Sequence, residues 1–287
     1  MNRPAGDTLP RDYEELKEAI AARYPGLSRQ LQKIARFALE YPQDVALETV
    51  ASLAARAEVQ PSSMVRFAQA LGYEGFSGMQ QVFRTHLVAG GGSYRERIEQ
   101  LRHQGRSASG DPAGVLADFV DEGITALEQL REHVSFAALS EAVDLLRAAR
   151  DIYLLAERRA FPVAFYLYYA LRRLETRAHL VDGVGGTLAQ QVGTATHEDV
   201  VLAVSFPPYS PDVAAAFAEA HQRGAATLAI TDSPVSPLGL EARLALAVRQ
   251  QEEGAFRSLV APMCLAQSLV VALGYRMAAD RNGEPQG

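Results

Sequence analysis

A cluster of side chains suited to reading DNA bases lies in one short stretch near the N-terminus. Its members are Gln60, Pro61, Ser62, Ser63 and Arg66. In the major groove, glutamine pairs with adenine, arginine with guanine, and serine with base edges or phosphate. A proline suits the first turn of a helix, because its missing N–H would have no helical partner there. The cluster therefore predicts the outward-facing start of a helix that contacts DNA.

The stretch around this cluster has the spacing of a helix-turn-helix. Residues 50–71 read VASLAARAEVQPSSMVRFAQAL. Ala54 is small enough for two helices to cross closely at a short turn. Met64, Phe67 and Leu71 are spaced to face inward from the second helix. Ordinary helical hairpins show the same spacing, so the spacing alone leaves both interpretations open.

The turn of this motif carries Glu58, where many such motifs have glycine. Glycine adopts a positive φ without strain, so a glutamate there predicts some strain or a turn that avoids the left-handed region. The nearby cations are Arg29, Lys33, Arg36 and Arg84. We expect them either to meet DNA phosphates or to lie on solvated helix faces.

A second group of candidate residues lies in two short segments of the C-terminal half. Residues 156–161 carry Arg158 and Arg159, and residues 205–210 carry Ser205 and Ser210. Each segment follows an apolar run and precedes a helical pattern. The free N–H groups at a helix start favour an anionic ligand, and arginine can grip phosphate or carboxylate with two hydrogen bonds. These four residues predict an effector site, although ion pairing at the surface or at a subunit interface would also explain the arginines.

The elements that must position this second group form an alternating pattern. Short apolar runs occupy residues 152–156, 178–181, 200–205, 225–231 and 244–248, with helical patterns at 161–174 and 211–223. Such runs are typical of parallel strands buried on both faces. Before them, from residue 12 to residue 87, apolar residues recur only at helical spacing. The pattern predicts an all-α helix-turn-helix domain followed by an α/β three-layer domain with a parallel sheet.

Composition and low-complexity segments set further bounds. The chain has 287 residues, a net charge of −6 and 48% hydrophobic residues, enough for two soluble domains. Gly90, Gly91 and Gly92 begin a loose stretch, which places a DNA-binding domain at 1–90, a linker at 91–114 and an effector and oligomerisation domain at 115–287. The polar N-terminus resembles no signal peptide, and the apolar run at 259–273 is short for a membrane span, so we expect a cytoplasmic protein.

The sequence contains little that indicates metal binding or disulfide bonds. Cys264 is the single cysteine, so an intrachain disulfide and a cysteine zinc cluster are both excluded. It lies in an apolar helical run, which predicts a buried position. The histidines show no metal-ligand spacing, and we expect neither a metal nor a cofactor.

Two regions resemble a known family. Residues 27–87, with KIARFALEYP, VASLAARAEVQPSSMVRF and LGYEGFSGMQ, resemble the N-terminal domain of the RpiR-type (MurR/RpiR) transcription regulators. The C-terminal half, with DIYLLAERRAFPVAFYLYYAL, DVVLAVSFPPYSPDV and GAATLAITDSPVSPLGLEA, resembles the sugar-isomerase (SIS) domain of the same regulators. Together the two resemblances cover nearly the whole chain.

The resemblance implies a regulator of carbohydrate or polyol catabolism genes. It implies double-stranded operator DNA as one partner, a small carbohydrate-derived effector as another, and a homodimer or homotetramer. In this sequence Ala156 and Ala160 stand where many members have glycine and serine, and Pro207 and Pro208 replace a serine and a glycine. The effector is then a phosphorylated sugar held by arginine, or an inositol-type or other polyol.

Two other functions remain open from the sequence. One is a sugar-phosphate isomerase with an accessory helical domain. Such an enzyme needs a positioned general base, and Glu157, Glu252 and Glu253 are the carboxylates near predicted strand ends. The other is a regulator whose second domain only dimerises.

Overall fold

The computed structural model describes residues 9–90, 98, 111–249 and 256–282. The chain divides into two compact units, Met1–Val115 with Gln251–Arg257, and Leu116–Gln250 with Ser258–Gly287. Most of the predicted linker, 91–114, lies outside the described residues, and the predicted domain bounds stay a prediction.

The first unit is helical, as its periodicity predicts. Its helices are α1 (Tyr13–Arg23), α2 (Arg29–Glu40), α3 (Pro42–Leu47), α4 (Val50–Arg56), α5 (Pro61–Ala70) and α6 (Phe76–Gly90). Asp12, Ser28 and Thr49 precede α1, α2 and α4, and each side chain accepts a hydrogen bond from a backbone N–H of the first turn. These caps explain why the helices begin where they do.

The inward faces of these helices form one apolar core. Ile34 of α2, Leu53 of α4 and Phe67 of α5 are fully buried, and so are Met64 and Leu71. The burial of Met64, Phe67 and Leu71 confirms the inward face predicted from their spacing. This packing fixes the orientation of α5 and leaves its opposite side in solvent.

The second unit alternates strands with helices. Its strands are β1 (Ile152–Leu155), β2 (Ala178–Val181), β3 (Val200–Val204), β4 (Ala226–Thr231) and β5 (Leu244–Ala247). Its helices are α7 (Pro112–His133), α8 (Phe136–Ala148), α9 (Phe161–Arg173), α10 (Leu188–Val192), α11 (Pro211–Gln222), α12 (Pro237–Glu241) and α13 (Val260–Asn282). The first turn of α7, up to Val115, belongs to the first unit.

The five strands form one parallel sheet in the order β2-β1-β3-β4-β5. On one face, residues of α8, α9 and α13 pack against Ile152, Leu154 and Leu202. On the other face, residues of α10, α11 and α12 pack against Leu155 and Ala203. The predicted three-layer α/β architecture is confirmed.

The position of Cys264 differs from the prediction, because its side chain is exposed. It lies on the outer side of α13, whereas Ala266, Leu269 and Leu273 are fully buried against the sheet. Within the described residues, α13 is the one helix long and apolar enough to cross a membrane by length and composition. The core helix of a soluble protein passes the same test, so this is weak evidence for a membrane span.

Candidate functional site

The exposed side of α5 carries most of the predicted DNA-reading residues. Gln60 lies at the N-cap position with an extended backbone, and Pro61 occupies the first turn. Gln60, Pro61, Ser62 and Arg66 are all exposed. The packing of α5 through Phe67 therefore turns these four side chains toward solvent, where a DNA groove could receive them.

Ser63 corrects the prediction that all five side chains point outward. Its side chain is buried, with 4% of the residue exposed. The reason is helical spacing, because Ser63 lies four residues before the buried Phe67 and so falls on the same inward side. Gln69 lies three residues after Arg66 and is exposed on the outward side. The i, i+3 spacing from Arg66 was the signal that would have found it.

The turn before α5 contains a residue in the left-handed region. Glu58 has a φ of +50°, so the first of the two predicted alternatives, some strain at a glutamate, is the one observed. Its carboxylate accepts a hydrogen bond from Lys33 Nζ at 2.5 Å. This hydrogen bond lowers the pKa of Glu58 below its ordinary value. The contact ties the turn to α2.

The four flanking cations differ in how they are held. Lys33 is paired with Glu58, and Arg36 Nε donates to Tyr24 Oη at 2.8 Å. Arg84 Nε donates to the backbone oxygen of Ala46 at 2.9 Å, which gives it a structural role. The side chain of Arg29 is exposed and forms no hydrogen bond or ion pair within the described part of the chain. Arg29 is therefore the cation best placed to meet a phosphate.

The carboxyl edge of the sheet brings polar side chains of three strands into one row. The pairs Leu155↔Ala203 and Val204↔Ile230 fix the register of β1, β3 and β4. Extending that register places Glu157 beside Ser205 and Ser205 beside Thr231, with about 4.8 Å between neighbouring strands. Ser205 N donates to Ile230 O at 3.1 Å, which continues the ladder between β3 and β4. The last pair between β1 and β3 is Leu155↔Ala203, and Glu157, two residues further on, keeps an extended backbone.

All three side chains of this row point to the same face of the sheet. Leu155 and Ala203 belong to the core on the α11 side. Side chains alternate along a strand, so residues two positions further on, Glu157 and Ser205, lie on that side too. Ser205 is 5% exposed, and its hydroxyl has no hydrogen-bond partner within the described residues. The row therefore includes a buried hydroxyl with unused hydrogen-bonding capacity.

The two predicted effector loops contact each other. Ser210 Oγ donates to Glu157 Oε2 at 2.6 Å and also accepts from Val213 N at 3.4 Å, so Ser210 caps α11 and binds the first loop at once. The guanidinium carbon of Arg159 lies 5.3 Å from the centre of the Phe206 ring. The sequence indicates Glu157 only as a possible catalytic base, and no local pattern predicts its contact with Ser210.

The two arginines occupy different positions at this edge. Arg159 is half-buried over Phe206, and Phe206 belongs to the core on the face covered by α8, α9 and α13. Arg158 has a φ of +53°, and its exposed side chain forms no hydrogen bond or ion pair with a described residue. Ser205 and Ser210 therefore lie on the α11 side of the carboxyl edge, whereas Arg159 contacts Phe206, which belongs to the other side.

A hydroxyl–carboxylate network continues the site past β4. Tyr209 Oη donates to Asp232 Oδ1 at 2.7 Å. The hydroxyl of Thr231 lies 2.9 Å from Ser236 Oγ and 3.2 Å from Asp232 Oδ1. Asp232 was missed from sequence, although a carboxylate directly after a buried strand is a signal that could have found it.

The opposite edge of the sheet holds an ion network. Asp151, directly before β1, accepts hydrogen bonds from Arg177 Nε at 3.0 Å and Arg150 Nε at 3.1 Å, and its Oδ1 lies 2.6 Å from His179 Nε2. The His179 contact, followed by the arginine contacts, holds the pKa of Asp151 below its ordinary value. Within the described residues, no group of three or more histidine, cysteine or acidic side chains is arranged to hold a metal ion.

Two family profiles match the chain, one in each half. The rpiR-family helix-turn-helix domain matches residues 14–88. The SIS domain matches residues 145–272. The first contains α4 and α5, and the second contains all five strands and the polar row at their carboxyl edge.

Several known proteins are similar to the chain. Bifunctional protein glk of Paraburkholderia xenovorans is 29% identical over 86% of the chain, which covers only 36% of that protein. The chain thus spans about a third of the length of this relative. The HTH-type transcriptional regulator YfhH of Escherichia coli is 28% identical over 88% of each protein. The structure of Vibrio vulnificus NanR complexed with ManNAc-6P has a TM-score of 0.55, with 21% identity over 92% of the chain and 94% of NanR.

Proposed function

Because the chain belongs to the RpiR family, with an rpiR-type helix-turn-helix domain before a SIS domain, we propose that it is a DNA-binding transcription regulator controlled by a small carbohydrate-derived effector. The observation that carries this proposal is the exposed polar side of α5. Gln60, Ser62 and Arg66 face solvent while Phe67 anchors the same helix in the core. A helix held in this way is suited to enter the major groove.

The proposed DNA contacts divide into two kinds. Gln60 and Arg66 read base edges, with Ser62 contacting bases or phosphate, because their side chains form directional hydrogen bonds in the major groove. Arg29 neutralises a phosphate, which fixes the position of the domain but carries no sequence information. Pro61 contributes the helix start and a close approach. Ser63 is not among the proposed contacts, since its side chain is buried.

The proposed effector site is the carboxyl edge of the parallel sheet. Ligands of open α/β sheets bind outside the carboxyl ends of the strands. Ser205 and Ser210 supply hydroxyls there, and Arg158 and Arg159 flank them on the first loop. The complex of NanR with ManNAc-6P supports this proposal, because there a protein of this fold holds a carbohydrate derivative.

Control by the effector requires that it favour one state of the regulator over another. A coupling of about 1–3 kcal/mol between effector and DNA would change the affinity for DNA about 5-fold to 150-fold. The chain would act as a homodimer or homotetramer in the cytoplasm, because a symmetric operator is read by two copies of a helix-turn-helix. Its target genes would serve carbohydrate or polyol catabolism.

The proposal includes the absence of enzymatic activity. Glu252 and Glu253 lie outside the described residues, and Glu157 accepts a hydrogen bond from Ser210. To test this, the full chain is incubated with aldose and ketose phosphates and their interconversion is followed. We expect no turnover. Turnover that Glu157→Gln abolishes would identify an isomerase and contradict a purely regulatory role.

The regulatory proposal is tested with the promoter regions of the genes that lie next to the gene of this chain. Fluorescence anisotropy compares the affinity of the full chain for those duplexes and for scrambled duplexes at one salt concentration, since phosphate contacts make all such affinities salt-dependent. We expect at least one native duplex to bind more tightly than its scrambled version. Equal affinity for every duplex would contradict the proposed function.

A further inference from the structure

A carboxylate of the chain itself lies at the start of α11. Ser210 is the N-cap of α11, and its hydroxyl donates to Glu157 Oε2 at 2.6 Å. Helix N-termini attract negative charge because their first N–H groups have no helical partner. Glu157 supplies that charge from within the protein, so a ligand phosphate would meet a like charge there.

The second observation is the unused hydrogen-bonding capacity next to Glu157. Ser205 is 5% exposed, and its hydroxyl has no hydrogen-bond partner within the described residues, although its backbone N–H donates to Ile230 O. Extending the β1–β3 register two residues past its last pair, Leu155↔Ala203, brings Ser205 beside Glu157. Glu157 uses Oε2 for Ser210, and its Oε1 accepts no hydrogen bond from any residue that the structure describes. Buried polar groups normally have partners, so the open hydroxyl of the buried Ser205 points to a ligand. The half-buried carboxylate of Glu157 offers that ligand an open oxygen beside it.

Charged side chains of both signs lie around the site. Two carboxylates, Glu157 and Asp232, and two cations, Arg158 and Arg159, lie on its loops, so these four side chains contribute no net charge. The guanidinium of Arg159 stacks on Phe206, which belongs to the opposite face of the sheet. The side of the edge that carries Glu157 therefore presents one carboxylate together with the hydroxyl groups of Ser205 and Ser210.

From this geometry we propose that the effector is an uncharged polyhydroxylated molecule, a polyol or an unphosphorylated sugar. One ligand hydroxyl donates to Glu157 Oε1 and accepts from Ser205 Oγ, because a hydroxyl group does both at once. A phosphate monoester is disfavoured by the charge of Glu157, since like charges at close range repel each other. This inference rests on the proposed function, because it concerns the effector site of the same regulator.

The test measures binding of matched neutral and phosphorylated ligands to the full chain. Hexoses, hexitols and cyclitols, each paired with its phosphate monoester, are titrated calorimetrically in phosphate-free buffer. The chains compared are the wild type, Glu157→Gln and Glu128→Gln. Glu128 is the matched control, because it is exposed on α7, outside the candidate site.

We expect at least one neutral compound to bind the wild type about tenfold or more tightly than its phosphate ester. Glu157→Gln should weaken the neutral compound about tenfold, since a hydrogen bond to a carboxylate is roughly twice as strong as one to an amide, and should strengthen the ester. Glu128→Gln should leave both affinities unchanged.

Three results would overturn the inference: tighter binding of the ester to the wild type, an unchanged preference in Glu157→Gln, or no binding of any neutral compound. Anisotropy with an operator duplex, recorded on the same samples, tests the proposed function separately. A neutral ligand that binds through Glu157 yet leaves the affinity for DNA unchanged would contradict effector control and support the ligand class. A phosphate ester that changes the affinity for DNA would support effector control and contradict the proposed ligand class.

Discussion

Ser210 Oγ donates a hydrogen bond to Glu157 Oε2 across 2.6 Å, which joins the loop after β1 to the first turn of α11. The two residues are 53 positions apart in the chain, and the parallel pairing of β1 with β3 brings them together. Ser210 also accepts from Val213 N, so one buried hydroxyl serves both the helix and the neighbouring loop. The effector site proposed above is built around this contact.

Ser210→Ala should lower the free energy of unfolding by about 1–2 kcal/mol, because it removes an N-cap and a hydrogen bond to a carboxylate. Urea unfolding followed by circular dichroism measures the change. Ser268→Ala is the matched control, since Ser268 is exposed and its hydroxyl only donates to the Cys264 backbone oxygen within α13. Equal unfolding midpoints for Ser210→Ala and the wild type would contradict the structural role of the hydroxyl.

Arg66→Ala should weaken binding to the specific duplex by about 1–3 kcal/mol, which is the contribution of a good arginine–guanine contact. Anisotropy at fixed salt measures the loss, and a scrambled duplex shows whether it is specific. Arg131→Ala removes the same charge from an exposed position on α7 and should have no effect. An equal loss on both duplexes would make Arg66 a phosphate contact, and no loss on either would remove it from the interface.

Ser62 and Ser63 are adjacent and chemically identical, and they should respond differently to substitution. Ser62 is exposed on the outward side of α5, whereas Ser63 is buried on the inward side. Ser62→Ala should reduce operator affinity by about 1 kcal/mol, the size of a typical hydrogen bond, and Ser63→Ala should leave it unchanged. The same anisotropy assay compares them. A larger loss for Ser63→Ala, in a variant that unfolds at the wild-type temperature, would contradict the orientation of α5.

Lowering the pH should remove the stabilisation that the ion network around Asp151 provides. Its pKa is lowered by the hydrogen bond with His179 and those with Arg177 and Arg150. A lowered pKa means that the stabilisation is present above the unfolded-state pKa of about 3.9 and is lost as the pH falls through the folded-state value. Asp151→Asn should therefore have a lower Tm than the wild type at neutral pH, and the difference should shrink below about pH 4.

Differential scanning fluorimetry from neutral pH to about pH 3 measures this difference in Tm. Asp121→Asn is the control, because Asp121 is exposed on α7 and should follow the wild type throughout. A constant difference between Asp151→Asn and the wild type at every pH would show that the charge of Asp151 contributes nothing to stability.

Local patterns predicted the five strands and two of the helices between them. The helical pattern at 161–174 corresponds to α9 (Phe161–Arg173), and the apolar run at 200–205 corresponds to β3 (Val200–Val204). Both follow from side-chain periodicity and from the near-continuous hydrophobicity of strands buried on two faces. The inward positions Phe67 and Leu71 followed from the same rule.

The predictions that failed concern which side of a helix a single residue faces. Ser63 and Cys264 each lie in a helix whose course was predicted, yet Ser63 is buried and Cys264 is exposed. A polar residue next to an outward cluster and a small residue in an apolar run both suggest the wrong side by residue type. The spacing from a buried residue of the same helix, Phe67 for Ser63 and Leu265 for Cys264, decides which side the residue faces. Which residues are buried depends on how the helices pack.

The contacts of the candidate site could not be read from the sequence. The row formed by Glu157, Ser205 and Thr231 depends on the register of three strands, which no local pattern specifies. Whether these residues bind an effector stays a prediction.

The measurement that tests the central claim most directly is selection of DNA by the full chain. A pool of random duplexes is incubated with the wild type and with Arg66→Ala at one salt concentration, and the bound duplexes are sequenced. For a regulator that reads bases through α5, the wild type should enrich one sequence motif, and Arg66→Ala should lose the preference for guanine at one position of it. Recovery of no motif by the wild type, or of an identical motif by both proteins, would contradict the account.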